Sequence, residues 1–525
     1  MRPGTTIAAA TTCLAPPPDQ KSAPIQSNST AVSARNPASP ESGQAPLLLQ
    51  TFPKNQINQT LPFRLRLSFG LPLSFGLPLS EIGEGAGGRG REVVAKGHHF
   101  PQISSKPRAI YPVYVALVVQ KYGGTSVASA ERIKAVADRI ARRKASGDDV
   151  VAVVSAMGDT TDDLINLAAQ ITDKPSEREM DILLSTGEAV SMSLMAMALH
   201  NLGVDSVSLT GAQAGLRTDA VHQRARILSI EPARIRSEVA KGRVVIVSGF
   251  QGITDEAEVT TLGRGTSDLT AVALAAVLEA RCERYTDVQG VFTADPRIIP
   301  DARLLNEISY EEMLEMASKG AKVMQPRAVE IASVYNVPIY VASSFTETPG
   351  TLIHGGINME TFNRVRGIPH DLDVAKITLR GVPDHPGVAA AVFEPLAEHH
   401  ISVDVIVQNA TDTGLTDLTF TVSKGDLSRA LTIVEAVAKD IQAAEVVTDA
   451  EIGKVSIVGT GIQSAPGFAA RMFRTLHEAN INIEMIATSE IRITCIVHAD
   501  RVNDAVRALH KSFELDRPEP SELAS

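Results

Sequence analysis

Tryptophan is absent from this 525-residue chain and aromatic residues make up only 4% of it, so its cores have to be built from aliphatic side chains. Cysteine is almost absent as well. Cys13, Cys282 and Cys495 lie far apart, without disulfide or zinc-site spacing, which fits a reducing compartment. No run of 18 apolar residues occurs, so no membrane-spanning segment is expected. An excess of basic charge is also missing. The net charge is -10 with both signs interspersed along most of the chain, which argues against nucleic acid or a membrane surface as the main partner. The Walker pattern G-x-x-x-x-G-K-[ST] occurs nowhere, which removes the P-loop from consideration.

The first 114 residues differ from the rest. Residues 1–60 are rich in Ser, Thr, Ala, Pro and Gln and carry only two acids, Asp19 and Glu41. Ser68–Leu73 is repeated at once as Ser74–Leu79, and a glycine-rich patch follows from Gly83 to Gly90. Such composition buries too little apolar surface to offset the entropy of ordering. Gly83–Gly88 matches G-x-G-x-x-G, yet no strand precedes it and no helix follows, so it reads as linker. Two readings of 1–114 stand: an organellar transit peptide, or upstream sequence translated from a start called too early.

What is present begins at Val115. The apolar run Val115–Val119 leads into Lys121-Tyr-Gly-Gly-Thr-Ser126 and then a helical pattern. A strand that delivers a lysine and two glycines to a helix start builds a phosphate site, since the glycines let backbone N–H groups approach an anion and the ammonium favours it. Further strands are expected at Val150–Val154, Val244–Val247 and Val337–Val341, with helices around Ile133–Ile140 and over Asp268–Ala280. Apolar strands alternating with amphipathic helices imply a mostly parallel sheet covered on both faces, with ligands beyond the strands' carboxyl ends. The last third repeats itself. Pro386-Gly387, Phe393, Leu396, Glu398, Ile401 and Ile406 recur 80 residues on as Pro466-Gly467, Phe473, Leu476, Glu478, Ile481 and Ile486. Each copy reads as a small α/β module. Gly459-Thr-Gly461 inside the second copy reads as a turn.

After the lysine-glycine loop come Ser155-Ala-Met-Gly-Asp-Thr-Thr161, Ser185-Thr-Gly-Glu188, Thr261-Leu-Gly-Arg-Gly-Thr-Ser-Asp268 and Tyr285-Thr-Asp-Val-Gln-Gly-Val-Phe-Thr-Ala-Asp-Pro-Arg297. In this order the motifs resemble aspartate kinase of the amino-acid-kinase fold, particularly the actinobacterial type, and the repeats resemble its paired ACT domains. The resemblance runs from Val115 to about Pro518. It implies an α/β three-layer sandwich with a mostly parallel sheet over 115–345, a linker over 346–372, and ferredoxin-like α+β ACT modules over 373–445 and 452–518. Proteins of that type begin where Val115 stands, which supports the miscalled-start reading.

The implied reaction is ATP-dependent phosphorylation of the L-aspartate side-chain carboxylate, the first step towards lysine, methionine and threonine. The chemistry agrees independently: a carboxylate with a pKa of about 4 is already an ionised nucleophile, so positioning and charge screening suffice. The resemblance assigns catalysis to Lys121 and Asp287. It assigns substrate binding to Asp159, Thr160, Thr161, Glu188, Arg264, Gly265, Thr266 and Ser267. For ATP it points to Lys121, Tyr122, Gly123, Gly124, Ser155, Ser267, Thr286, Asp287, Phe292, Asp295, Arg297 and Lys322, with Mg²⁺ as cofactor and no metal held by a protein cluster. Arg264 would grip a carboxylate and Glu188 the amino-acid ammonium.

The ACT resemblance implies end-product control and assembly, as a homo-oligomer or with a separate ACT-containing subunit. By position Asp384, Asp404, Ser489 and Glu490 suit lysine, and Gly387, Ala389, Gln408, Asn482 and Ile483 suit threonine. A cytoplasmic location is expected, organellar only if the leader is a true transit peptide. Three departures from the family pattern stand out: Thr266 where glycine is usual, Gln289 for aspartate, and Gln325 for histidine. Two other readings stay in view. A kinase for N-acetylglutamate is disfavoured by Glu188, and a catalytically dead amino-acid sensor by Lys121, Arg264 and Asp287. A chain started at Val115 behind an initiating Met should match the full chain in activity and heat stability; loss of either in a parallel assay and melt would show that the leader belongs to the working structure.

Overall fold

The computed structural model describes residues 117–356, 365–409, 414–462 and 466–517. The expectations for 1–114 lie outside them. The apolar runs become an eight-stranded sheet ordered Glu307–Ser309, Thr351–His354, Ile339–Ser343, Arg281–Thr286, Leu117–Tyr122, Asp149–Val154, Val244–Ser248, Ser206–Leu209. Every pairing in it is parallel except that between Ile339–Ser343 and Thr351–His354. The central strands are buried on both faces, which is why they read as unbroken valine runs rather than alternating ones.

Helices Ala130–Ala145 and Glu177–Asn201 pack on one face, against Val150, Val154 and Ile246. Ser267–Leu278, Tyr310–Ser318 and Pro326–Tyr335 pack on the other, against Val119, Val151 and Val245. The result is a three-layer sandwich. Local signals set the ends of Ala130–Ala145: Ser129 accepts from the Arg132 amide, Arg142, Arg143 and Lys144 lie in the last turn, and Gly147 takes a φ of 100°. The lysine-glycine loop does not open straight into that helix. It first makes a short 3₁₀ turn, Gly124–Val127.

Glu177–Asn201 is long and apolar enough to cross a bilayer by length and composition. Here it is a core helix, burying Met180, Leu184, Met195 and Leu199 together with Asp181 and Glu188. Asp181 is fully buried and ties the helix to its neighbours, accepting from Thr261 Oγ1 at 2.5 Å, His222 Nδ1 at 2.7 Å and the Gln223 amide at 3.1 Å.

The tandem repeat is visible in the backbone. Gly387 and Gly467 take φ of 102° and 111° at the starts of helices Val388–Glu398 and Phe468–Glu478, a region closed to most other residues. The first module is an antiparallel sheet ordered Ile406–Gln408, Leu415–Val422, Ala375–Pro383, Glu445–Asp449, backed by Val388–Glu398 and Leu427–Asp440. The second is ordered Met485–Ser489, Arg492–His498, Ile452–Val458, His370–Asp371.

That last strand corrects the reading of 346–372 as a linker. Thr351–His354 belongs to the large sheet, and His370–Asp371 pairs antiparallel with Ile452–Val458. Two-residue strands and single bridges leave too little periodicity to see in a sequence. Gly320 packs against this strand at a φ of 112°, where a Cβ would lie 1.7 Å from the His370 carbonyl oxygen. Gly320→Ala should therefore cost at least about 1–3 kcal/mol from backbone strain alone, before the clash is counted, and show as a lower midpoint in thermal or urea unfolding; an unchanged midpoint would contradict this packing.

Candidate active site

The carboxyl ends of the central strands define the site. Alternation along Leu117–Tyr122 sends Lys121 to one face of the sheet and Tyr122 to the other. Lys121 is 5% exposed and places Nζ 2.7 Å from Asp268 Oδ1, in the first turn of Ser267–Leu278. Arg284, its register partner on the next strand, places Nε 2.9 Å from Asp268 Oδ2. Burial and the nearby Arg284 pull the Lys121 ammonium below its ordinary range, partly offset by Asp268. Burial alone would raise the Asp268 carboxyl, but Arg284 and Lys121 together hold it low. Two cations thus share one carboxylate at the mouth of the sheet, and the Lys121 charge also reaches Glu188.

Tyr122 is a correction to the expected ATP contacts. Its side chain is fully buried on the opposite face, stacked on Tyr285 at 5.2 Å, and its hydroxyl donates to Gln120 Oε1 at 3.1 Å. The glycines behave as their positions require. A Cβ on Gly124 would sit 3.0 Å from the Ala156 carbonyl oxygen and 3.1 Å from that of Gly158, so this loop and the Ser155–Asp159 loop lie close together.

Glu188 enters from the middle of Glu177–Asn201. Gly187 lets the helix approach, since a Cβ there would fall 2.8 Å from Ala156 Cβ. Oε1 of Glu188 accepts from the Ala156 amide at 3.1 Å, while Oε2 is buried with no hydrogen-bond partner among the described residues. Burial pushes its carboxyl up to about 7, against the Ala156 amide and the Lys121 charge. Ser155 Oγ donates to Ser267 Oγ at 3.0 Å. Thr160 closes its own turn by donating to the Met157 carbonyl at 2.6 Å, and Asp159 and Thr161 flank it at the start of Thr160–Ile171. Arg264 is exposed and paired with the equally exposed Asp162.

Thr266 causes no backbone conflict. Its φ is -84°, the left-handed positions fall on Gly263 and Gly265, and its hydroxyl donates inward to the Gly263 carbonyl at 2.5 Å. Gln325 caps Pro326–Tyr335, accepting from the Ala328 amide at 2.9 Å.

A cavity of about 810 Å³ adjoins this centre. Thr286, Asp287, Phe292, Asp295, Arg297 and Lys322 line it, together with Ile368–Asp373 and Lys424 from the regulatory side. Val288 and Gly290 line the wall around Gln289. Asp287 is exposed and accepts from its neighbour Thr286 Oγ1 at 3.0 Å, and Arg297 pairs with Asp295 at 2.7 Å. Among the described residues no cluster of three or more His, Cys, Asp or Glu is placed to hold a metal ion.

Sequence reasoning missed Asp268 and Arg284. In the sequence Asp268 stands only at the start of an expected helix, and its place at the end of the Thr261–Asp268 motif is the one signal of more. Two of the expected effector residues already have partners within the chain. Asp404 is occupied by Lys319 at 2.7 Å and Lys454 at 2.8 Å, which hold its carboxyl down at about 2 against burial. Ser489 Oγ donates to Glu315 Oε1 at 3.2 Å. Asp384, Gly387, Ala389, Gln408, Asn482 and Glu490 are exposed, and Ile483 packs partly into the second module.

Comparison with known proteins bears directly on this geometry. The amino acid kinase family model matches residues 116–343, and ACT domain models match 377–441 and 455–513. An aspartokinase of Pseudomonas aeruginosa is 51% identical over 407 residues, 77% of this chain and 99% of that protein. The chain belongs to the aspartokinase family. An aspartokinase of Mycolicibacterium smegmatis is 50% identical over 76% of this chain and 97% of its own length, so the likeness is no greater to the actinobacterial protein than to the pseudomonad one. The crystal structure of E. coli aspartokinase III in complex with aspartate and ADP superposes with a TM-score of 0.66 at 26% identity, covering 76% of this chain and all of that one. The same protein in complex with lysine and aspartate gives 0.60 at 26% identity, covering 76% and 99%.

Glu188 links stability to pH in a definite direction. Between its ordinary 4.5 and the folded value of about 7, the unfolded chain has lost a proton that the folded chain keeps. Stability therefore falls as pH rises through that window, and the penalty is complete above it. Glu188→Gln should be more heat-stable than wild type at pH 8, by on the order of 3 kcal/mol. The gap should close as pH falls towards 5 in melts across that range; a gap independent of pH would contradict the buried ionised carboxylate.

Proposed function

We propose that this aspartokinase transfers the γ-phosphoryl group of ATP to the side-chain carboxylate of L-aspartate, with Lys121 and Glu188 as the two charges that organise the site. The carrying observation is the unpartnered Oε2 of Glu188, buried near the Lys121 ammonium. A buried carboxylate oxygen without a donor calls for a cationic ligand group, and the α-ammonium of aspartate supplies one. N-acetylglutamate has no such charge. An aspartate carboxylate would exchange with the exposed Asp162 on Arg264.

In the reaction a side-chain carboxylate oxygen attacks the γ-phosphorus as the bond to the β,γ-bridging oxygen breaks, giving an acyl phosphate and ADP. No general base is needed. Lys121, kept cationic by Asp268, screens the repulsion between nucleophile and phosphate, and Gly123 and Gly124 let the backbone approach the phosphates. The cavity lined by Thr286, Phe292, Asp295, Arg297 and Lys322 is the proposed nucleotide site. Mg²⁺ fits this donor set, because it needs only one or two carboxylates once phosphates coordinate it. Asp287 would hold it, and when bound it would supply charge screening on the phosphates.

Lysine and threonine as effectors, a homo-oligomer or an assembly with a separate ACT subunit, and a cytoplasmic location complete the proposal. For the effectors, Asp384, Gly387, Ala389, Gln408, Asn482 and Glu490 remain as candidates on exposed module surface. The reading is tested by hydroxamate formation from L-aspartate, N-acetylglutamate and glutamate, since hydroxylamine traps acyl phosphates. Aspartate alone should give ATP-dependent product, and Lys121→Ala should lower kcat by about 10²-fold or more. Product from N-acetylglutamate but not aspartate, or near-normal turnover by the variant, would overturn it.

A further inference from the structure

Helix Tyr310–Ser318 belongs to the kinase domain, yet both regulatory modules hold one face of it. Glu312 Oε1 accepts from the amide and the hydroxyl of Thr460 at 3.1 and 2.9 Å. One turn on, Glu315 accepts from Ser489 Oγ at 3.2 Å and pairs with Arg492 Nε at 2.9 Å. One further turn on, Lys319 Nζ lies 2.7 Å from Asp404 Oδ1 of the first module, whose Oδ2 lies 2.8 Å from Lys454 of the second. Positions 312, 315 and 319 share a helical face.

The chain leaves this helix at Gly320, which rests on the His370 carbonyl, and runs directly into Ala321, Lys322 and Val323 on the cavity wall. Lys319 is thus the last anchored residue before the nucleotide wall. Its side chain is only 8% exposed, so its geometry is set by the pair it makes rather than by solvent.

We propose that Lys319 is a positioning residue for the nucleotide: held by Asp404, it fixes the Gly320–Val323 turn and hence Lys322 against the cavity. This rests on the nucleotide site proposed above. Asp404 then serves as a joint between regulatory module and nucleotide wall, not as a ligand for an effector's ammonium. Any movement of the first module that withdraws Asp404 releases the turn.

Lys319→Met is the first variant, because it keeps the apolar stem and leaves the Asp404–Lys454 pair intact. Without effector, its ATP KM and its ADP Kd by calorimetry should rise about tenfold, within the usual range of coupling between sites, with aspartate KM unchanged. Lys319→Arg should restore most of the affinity, and Asp404→Asn should reproduce the defect. The double variant should be no worse than either single one, as expected for two residues acting through one contact. ATP KM and ADP Kd within about twofold of wild type, or ATP and aspartate KM rising together with a lower Tm, would overturn the proposal. Asp404→Asn carries the same test should Lys319→Met not fold. ADP calorimetry does not depend on the acceptor, so absence of aspartyl hydroxamate from wild type would remove the aspartate reading and leave this one standing.

Discussion

Two cations in register on adjacent strands would repel each other, and the fold of the kinase domain depends on how that repulsion is cancelled. Lys121 and Arg284 face each other across Leu117–Tyr122 and Arg281–Thr286, and Asp268 lies between them from the helix above. Like charges directly opposite destabilise a sheet, so the carboxylate is a condition for this register. Removing it would strand two buried cations, a loss of about 3–5 kcal/mol when a buried partner is taken away. The helix that carries Asp268 buries ten of its twelve residues, which holds the carboxylate in place. Polar ties on the other face, Gln120 and Tyr285 on Glu283 at 2.9 and 3.0 Å, brace the same two strands.

The site built on that base is a set of unequal compromises. Glu188 keeps a carboxylate where burial disfavours its charge, leaving one oxygen to be matched from outside. Arg264 does the reverse, staying exposed and already paired, so exchanging one carboxylate for another there costs little desolvation. Affinity from the first and exchange at the second suit a site that must bind a small zwitterion and release its product. The cavity beside it, the proposed nucleotide site, is less self-contained, because part of its wall comes from Ile368–Asp373 and Lys424.

Much of this was legible beforehand where the signal was local. Valine runs announced buried parallel strands, and the helical spacing over Ile133–Ile140 marked one helix. The Pro-Gly pairs located both module helices. Lys121, Gly124, Glu188 and Ser155 come together as their motifs suggested. What escaped was non-local. Tyr122 sits inside a motif, but strand alternation turns it away from the site. Asp268 looks like an ordinary first-turn acid until Arg284, sixteen residues later, is seen on its other oxygen. Asp404 reads as a free acid until Lys319 and Lys454, distant in sequence, close on it. Such pairings depend on topology, and no residue pattern near Asp404 encodes them.

The strand His370–Asp371 has a consequence for how the regulatory half comes into being. It precedes the whole first module in the chain but completes the sheet of the second. During synthesis its edge therefore waits, hydrogen-bonding groups unfilled, until Ile452–Val458 has been made some eighty residues later. Closing a loop of that length costs only slowly growing entropy, but it makes the pairing a late event. The two repeats look like beads on a string in sequence, yet the first is inserted within the second: the second cannot be cut out, exchanged between relatives or duplicated at its apparent boundary without leaving one of its strands behind. Recombination at the junction between repeats would yield a second module with an open edge, a template for pairing with other chains.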